Sequence, residues 1–273
     1  MKYRKIYLKD VTSLNTGATL EFYQAEVNTD GIVEKRPTLL ILPGGGYQGC
    51  SDREAEPVAF RFVSEGFNCF VLRYTCKTKY PVPQLEVVAS MDYVKKNYKE
   101  YDLLDTNISL VGFSAGGHLA ASVGAYYKEL ADQLSIPADN ARPFALILGY
   151  PVISSTIPNT HQRSIETMTG GDERMLDKVS IEKHITKDFP PTYIFTTKTD
   201  TVVNPENSKI LYETLKKANI PAKFDLFETG IHGGSLYSYR VYDAYIRENP
   251  EVRKNAIWVN NATDFIYNLI YKK

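Results

Sequence analysis

Five short runs of almost unbroken apolar residues recur along the chain: Thr38–Leu42 within PTLLILP, NCFVLRY at 68–74, ISLVGF at 108–113, FALILGY at 144–150 and TYIFTT at 192–197. A strand with one face in water alternates apolar and polar side chains, so strands that do not alternate must be covered on both faces. The segments between the runs have a different period. Pro57 suits the first position of a helix around 57–65, and QLEVVASMDYVKKNYK at 84–99 spaces Leu85, Val88 and Met91 along one helical face. Small residues dominate SAGGHLAASVGAYY after the third run, and Asn204 caps a helix that opens on Pro205 and continues to about Ala218. KFDLFE at 223–228 closes the strand series, and the end of the chain, DFIYNLIYKK, reads as a terminal helix. This alternation predicts an α/β fold with a mainly parallel sheet of about eight strands and helices on both faces. ATLEFYQAEV at 18–27 does alternate, so the N-terminal strands are expected to form an antiparallel edge.

At 273 residues the chain can bury about three quarters of its unfolded surface around one core, and a single domain over 1–273 is expected. Residues 151–190 break the alternation. They are rich in Pro, Ser, Thr and Gly, and so long an excursion between core strands predicts a lid or pocket-wall insertion. Lys+Arg and Asp+Glu balance at 32 each, which argues against a nucleic-acid partner held by phosphate neutralisation. Three cysteines, at 50, 69 and 76, form no disulfide framework and read as reduced thiols of a cytoplasmic-type protein. The opening MKYRKIYLKDVTSLN has no signal-peptide pattern, and no apolar stretch reaches the roughly 18 residues of a membrane span.

The chemistry concentrates at Gly112-Phe113-Ser114-Ala115-Gly116, a G-x-S-x-G pentapeptide between a strand and a helix. In that setting a tight turn lifts the serine hydroxyl above the sheet, and the glycines let strand and helix approach. A serine nucleophile needs a base, and there are four histidines. His118 lies one helical turn beyond Ser114 and suits packing or support, while His161 and His184 fall in the irregular insertion. His232, in TGIHGG just after the last strand, stands at a carboxyl strand end, where ligands gather in open parallel sheets. Asp200, after TYIFTT, is placed to orient the imidazole; Glu228 and Asp172 are its competitors. The run Pro43-Gly44-Gly45-Gly46-Tyr47 leaves backbone amides that, with that of Ala115, could hold a developing oxyanion. Gly44-x-Gly46-x-x-Gly49 also matches a dinucleotide fingerprint; Arg73 at the end of the next strand would make that an NADP site, and this reading leaves Ser114, Asp200 and His232 unused. Cys50, close to the glycine loop, has no evident base and is expected to be inert. No metal-binding motif is present.

From about residue 18 onward the chain resembles the α/β-hydrolase superfamily. PGGGY, GFSAGG, TDTVVNPENS and GIHGG are similar to motifs of its acetyl esterase/lipase group, which includes acetylxylan and feruloyl esterase-type enzymes. The chain order Ser114, Asp200, His232 is that of the superfamily. The resemblance implies that Gly45 and Gly46 donate to the oxyanion and that no cofactor or metal is needed. Pro43 replaces the group's usual histidine, and Phe113 a commonly acidic residue, which favours the carbohydrate-esterase side. A serine carboxylesterase acting on short, acetyl-type esters of sugars or xylo-oligosaccharides is therefore expected. A peptidase or amidase of formamidase type, and a catalytically silent binding protein, are the alternatives. Tyr47, Tyr237 and Tyr239 are candidate substrate contacts. Tyr237, Tyr239, Tyr242 and Tyr245 crowd the segment after His232, either as a rim that stacks on sugar faces or as packing for this excursion.

Overall fold

The computed structural model describes residues 1–26, 35–158 and 160–271. Two strands, Lys2–Tyr7 (β1) and Thr19–Gln24 (β2), flank the helical turn Leu8–Val11 (α1). Strand and helix then alternate: Arg36–Leu42 (β3), Glu56–Ser64 (α2), Asn68–Arg73 (β4), Val82–Lys96 (α3), Leu103–Phe113 (β5) and Ala115–Leu134 (α4). A turn of helix at Ala138–Ala141 (α5) precedes Leu146–Gly149 (β6), Gln162–Thr169 (α6), Thr192–Thr197 (β7), Glu206–Lys217 (α7) and Ala222–Phe227 (β8). The chain closes with Tyr239–Glu248 (α8) and Ile257–Tyr271 (α9). Val27, the last residue of the strand read at 18–27, lies outside the described residues, as do Lys272 and Lys273 of the terminal helix.

One eight-stranded sheet has the order β1-β2-β4-β3-β5-β6-β7-β8. The strands from β3 to β8 run parallel, and β2 and β1 add the antiparallel edge. The absence of alternation in the central strands now has its cause. Leu40 and Leu42 of β3, Phe70 and Leu72 of β4 and Leu110 of β5 face one core, with Val88 and Met91 of α3 and Leu119 and Val123 of α4. Their neighbours Leu39, Ile41, Cys69, Val71 and Val111 face a second core, with Phe62 of α2 and Trp258 and Ile266 of α9. The central strands therefore meet an apolar layer on both faces.

The chain passes from β3 to β4 on one side and then returns to place β5 on the other side of β3. The loops after β3 and β5 diverge there, which opens a crevice at the carboxyl ends of the strands. The insertion at 151–190 folds over this end rather than away from it. Asn207 Oδ1 accepts from the amides of Ile153 and Ser154 at 2.9 and 3.0 Å, and Tyr126 Oη donates to Lys178 O at 2.8 Å. α6 within the insertion and α8 after β8 were not legible as helices. α8 contains a kink at Tyr242, whose backbone leaves the helical region.

His118, on α4, is 1% exposed and joins three parts of this framework. Its Nε2–H donates to Val179 O at 2.9 Å, and its Nδ1 accepts from the Tyr47 hydroxyl at 2.8 Å. Burial pulls its pKa down from 6.5 to about 4 against the opposing bond to Val179. Between those values the unfolded chain holds a proton that the folded one excludes, so this contribution is complete above the unfolded value and is lost as pH falls through the window. It is worth about 3 kcal/mol between about pH 7 and pH 4. His118→Gln keeps an acceptor for Tyr47 and a donor for Val179 but does not titrate. Unfolding in urea at both pH values should show the wild-type stability falling by about 3 kcal/mol more than that of the variant. Equal losses would place the acid sensitivity elsewhere.

Candidate active site

Ser114 joins β5 to α4 with φ 52° and ψ −117°, a conformation that costs a non-glycine residue about 1–3 kcal/mol. The flanking glycines make the turn possible. A Cβ on Gly112 would come 2.3 Å from Gly116 O, and one on Gly116 would come 2.1 Å from Leu42 O. The Ser114 backbone is held from both sides: its N–H donates to Gly149 O at 2.9 Å, and its carbonyl accepts from the amides of His118 and Val152 at 3.1 and 3.2 Å.

Asp200 follows β7, and His232 lies in the loop after β8. Asp200 Oδ1 accepts from the amides of Val202 and Val203, both at 2.9 Å, and Oδ2 accepts from His232 Nδ1 at 2.8 Å. The carboxylate can only accept, so the ring proton sits on Nδ1 and the lone pair of Nε2 points at Ser114 Oγ, 2.9 Å away. This tautomer allows the imidazole to take the serine proton. The competing acids are committed elsewhere, Glu228 to Lys198 at 2.6 Å and Asp172 to Arg174 at 2.7 Å. His184 donates to Asp177 O at 2.9 Å, away from the serine.

The three residues open on a cleft of about 380 Å³ whose lining includes Gly45 and Gly46. The amides of Gly45, Gly46 and Ala115 donate to no other described residue. The amide of Gly44 is not free, because it donates to Glu54 Oε2 at 2.8 Å. Glu54 was not singled out from the sequence, yet it is 3% exposed and lines the same cleft. Its Oε1 accepts from Tyr150 Oη at 2.7 Å, and Tyr150 Oη accepts in turn from the amide of Ser235 at 3.0 Å. The Tyr150 ring stands edge-on to the His232 imidazole, with centroids 4.9 Å apart. Burial pushes the Glu54 carboxyl above its ordinary pKa, against the bonds from Tyr150 and Gly44. One buried carboxyl thus braces the glycine loop, the end of β6 and the histidine loop together.

The tyrosines are placed differently from the sequence-based expectation. Tyr47 is fully buried, with its hydroxyl on His118. Tyr237 is 1% exposed and packs beneath the histidine loop, where a Cβ on Gly234 would come 2.4 Å from its ring. Tyr239 is exposed, with the Arg253 guanidinium 4.8 Å from its ring centroid. None of the three lines the cleft; Tyr242 does, along with Arg53, Arg163 and His161. His161 reaches the cleft from the insertion and is held by Ser164 Oγ at 2.8 Å from Nδ1. Burial and the nearby His232 lower its pKa. Cys50 is half-buried with its Sγ 3.9 Å from that of Cys76, and this contact together with burial pushes its thiol pKa up.

The BD-FAE family model matches residues 27–215. Over 207 residues the chain is 35% identical to endo-1,4-beta-xylanase B of Butyrivibrio fibrisolvens, covering 73% of this chain and 32% of that protein. It is 24% identical over 246 residues to an acetylxylan esterase of Xylanibacter ruminicola, covering 82% and 48%. The chain therefore spans about a third of the first of these relatives and about half of the second. Among solved structures, an acetyl ester-xyloside bifunctional hydrolase of Caldicellulosiruptor lactoaceticus superposes with a TM-score of 0.81 at 27% identity, over 98% of this chain and 97% of that one. A sugar hydrolase of Lactococcus lactis gives 0.79 at 30% identity, over 99% of each chain. With its α/β-hydrolase sheet and a family-model match over more than half its length, the chain belongs to the BD-FAE family.

Proposed function

We propose that the protein is a serine carboxylesterase that hydrolyses short-chain esters, acetyl above all, on sugars such as xylo-oligosaccharides. The observation that carries this reading is the hydrogen-bonded line from Ser114 Oγ through His232 to Asp200, ending at a cleft beside three amides with no other acceptor. His232 Nε2 takes the serine proton as Oγ attacks the ester carbonyl, and the negative charge on the carbonyl oxygen falls to the amides of Gly45, Gly46 and Ala115. Collapse of the tetrahedral intermediate expels the sugar alcohol, protonated by His232, and leaves an acyl-serine. Water, deprotonated by the same imidazole, then releases the acid. His161 and Arg163 bring the 151–190 segment to the cleft. Apart from the glycines, Val202 and Tyr242, the lining residues carry polar or charged side chains that can hydrogen-bond the hydroxyls of a sugar. The names of the similar acetylxylan esterase and acetyl ester-xyloside hydrolase point to the same substrate class.

Hydrolysis of p-nitrophenyl acetate, butyrate and octanoate, together with acetate release from acetylated xylo-oligosaccharide, tests this. The kcat/KM is expected to fall by at least about tenfold from acetate to octanoate, and acetate should appear from the sugar. Faster turnover of octanoate, or release of acetate only from the phenyl ester, would sink the sugar-acetate reading.

A further inference from the structure

Two arginines line the cleft that holds Ser114 and His232, and among the described residues neither is ion-paired with a carboxylate. Arg53 lies in the turn between the glycine loop and α2, and its guanidinium sits 4.1 Å from the ring centroid of Tyr242, another cleft residue. Arg163 comes from a separate part of the chain, the first turn of α6 in the insertion. Among the described residues, neither side chain forms an ion pair or a hydrogen bond, whereas the acids around Arg53 are all engaged. Asp52 pairs with Arg73 at 2.7 Å, Glu56 pairs with Arg240 at 3.2 Å, and Glu54 turns inward with its oxygens on Gly44 and Tyr150. Asp200 is occupied by His232 and two amides. The mouth of the cleft therefore carries two guanidinium groups, and the one carboxyl that lines it, Glu54, is buried beneath. A guanidinium is a planar fork matched to a carboxylate, and Tyr242 holds one of the two in place through its ring face. A neutral ester bound over Ser114 would leave both without a partner.

We propose that Arg53 and Arg163 select esters whose substrate carries a carboxylate close to the scissile bond. This rests on the esterase reading above and narrows its substrate class. In an acetylated oligosaccharide the carboxylate is that of a uronic acid substituent on the sugar side. The alternative source is the acyl side, as in a dicarboxylic acid hemiester, and the experiment separates the two.

Binding is measured first, in the Ser114→Ala chain, which cannot turn substrate over. Calorimetric titration compares a neutral xylo-oligosaccharide with one of equal length bearing a glucuronic acid. The acidic sugar should bind about fivefold more tightly at low salt, the sum of two exposed pairs. That advantage should shrink below about twofold near 0.5 M NaCl, where screening is strong. It should also vanish when Arg53→Gln and Arg163→Gln are added, separately tested for an unchanged melting temperature. Turnover by the wild-type chain is measured next, on acetylated neutral against acetylated glucuronate-bearing oligosaccharide and on p-nitrophenyl acetate against p-nitrophenyl hydrogen succinate. Preference for the acidic sugar assigns the carboxylate to the alcohol side, and preference for the succinate assigns it to the acyl side; either supports the proposal. No acidic preference in binding or turnover overturns it, as does a preference that survives loss of both arginines or high salt. Acid-selective binding by a chain that hydrolyses no ester would instead remove the esterase reading and keep the anion site.

Discussion

Ser114→Ala is expected to lower kcat for p-nitrophenyl acetate by about 10⁴- to 10⁶-fold, with a melting temperature within about 2 °C of wild type. The size of the loss follows from what the hydroxyl touches. Oγ is the group hydrogen-bonded to His232 Nε2, so its removal leaves the imidazole without a nucleophile to activate. The fold should not notice the change. The bonds that fix this residue, to Gly149, His118 and Val152, are all made by its backbone, and alanine keeps the Cβ that already occupies the strained turn. What activity survives would come from the amides of Gly45, Gly46 and Ala115 acting on water attack. A loss smaller than about tenfold would mean that the hydrolysis takes place somewhere other than this cleft.

Ser114 and Asp200 could be placed from the sequence because each follows a strand buried on both faces, which is conspicuous; His232 follows KFDLFE, a half-exposed edge strand recognised by its place at the end of the strand series. Once ISLVGF, TYIFTT and KFDLFE are strands of one parallel sheet, Ser114, Asp200 and His232 must share its carboxyl edge. The choice of Asp200 over Glu228 could not be made so firmly, since both end a strand. Distance decides it: Glu228 is engaged with Lys198, whereas Asp200 meets His232 and is locked by two amides. The same holds for the glycine run, which fits a phosphate loop by spacing alone. The structure sets it beside the serine: the Gly44 amide is spent on Glu54, and Gly45 and Gly46 line the cleft of Ser114.

What could not be read depends on contacts between distant parts of the chain. DREAEP looks like an acidic surface turn, and its Asp52 and Glu56 do make exposed ion pairs. Glu54 between them is buried because Tyr150, 96 residues later, donates to it. Nothing local marks that. The insertion is similar: His161 and Arg163 carry no periodic signal, and only the anchoring of 151–190 by Asn207 and Tyr126 brings them over the glycine loop. The tyrosines after His232 admitted two readings, a sugar-facing rim or packing, and nothing local divides them residue by residue. Tyr237 takes a positive φ, and its ring lies under the histidine loop. There it fills the space left by the missing side chain of Gly234, which makes it packing rather than a substrate contact.

Asp200→Asn should be nearly as damaging as loss of the nucleophile, by about 10⁴-fold in kcat, although it changes a single atom type. The reason lies in the donors around the carboxylate. Oδ1 accepts from two backbone amides, Val202 and Val203, which can offer nothing but N–H. An asparagine must therefore keep its carbonyl oxygen on that side and turn its NH₂ towards His232 Nδ1. A donor in that place makes Nδ1 an acceptor and moves the ring proton to Nε2, against Ser114 Oγ. The base then faces the nucleophile with its proton instead of its lone pair. The structure should stay intact, so binding of a xylo-oligosaccharide would be retained while kcat collapses. Raising the pH should recover little, because the fault is which nitrogen carries the proton. If instead Asp200→Asn retained a rate within about tenfold of wild type, another acid would be orienting His232, and Glu54, joined to it through Tyr150, would be the residue to replace next.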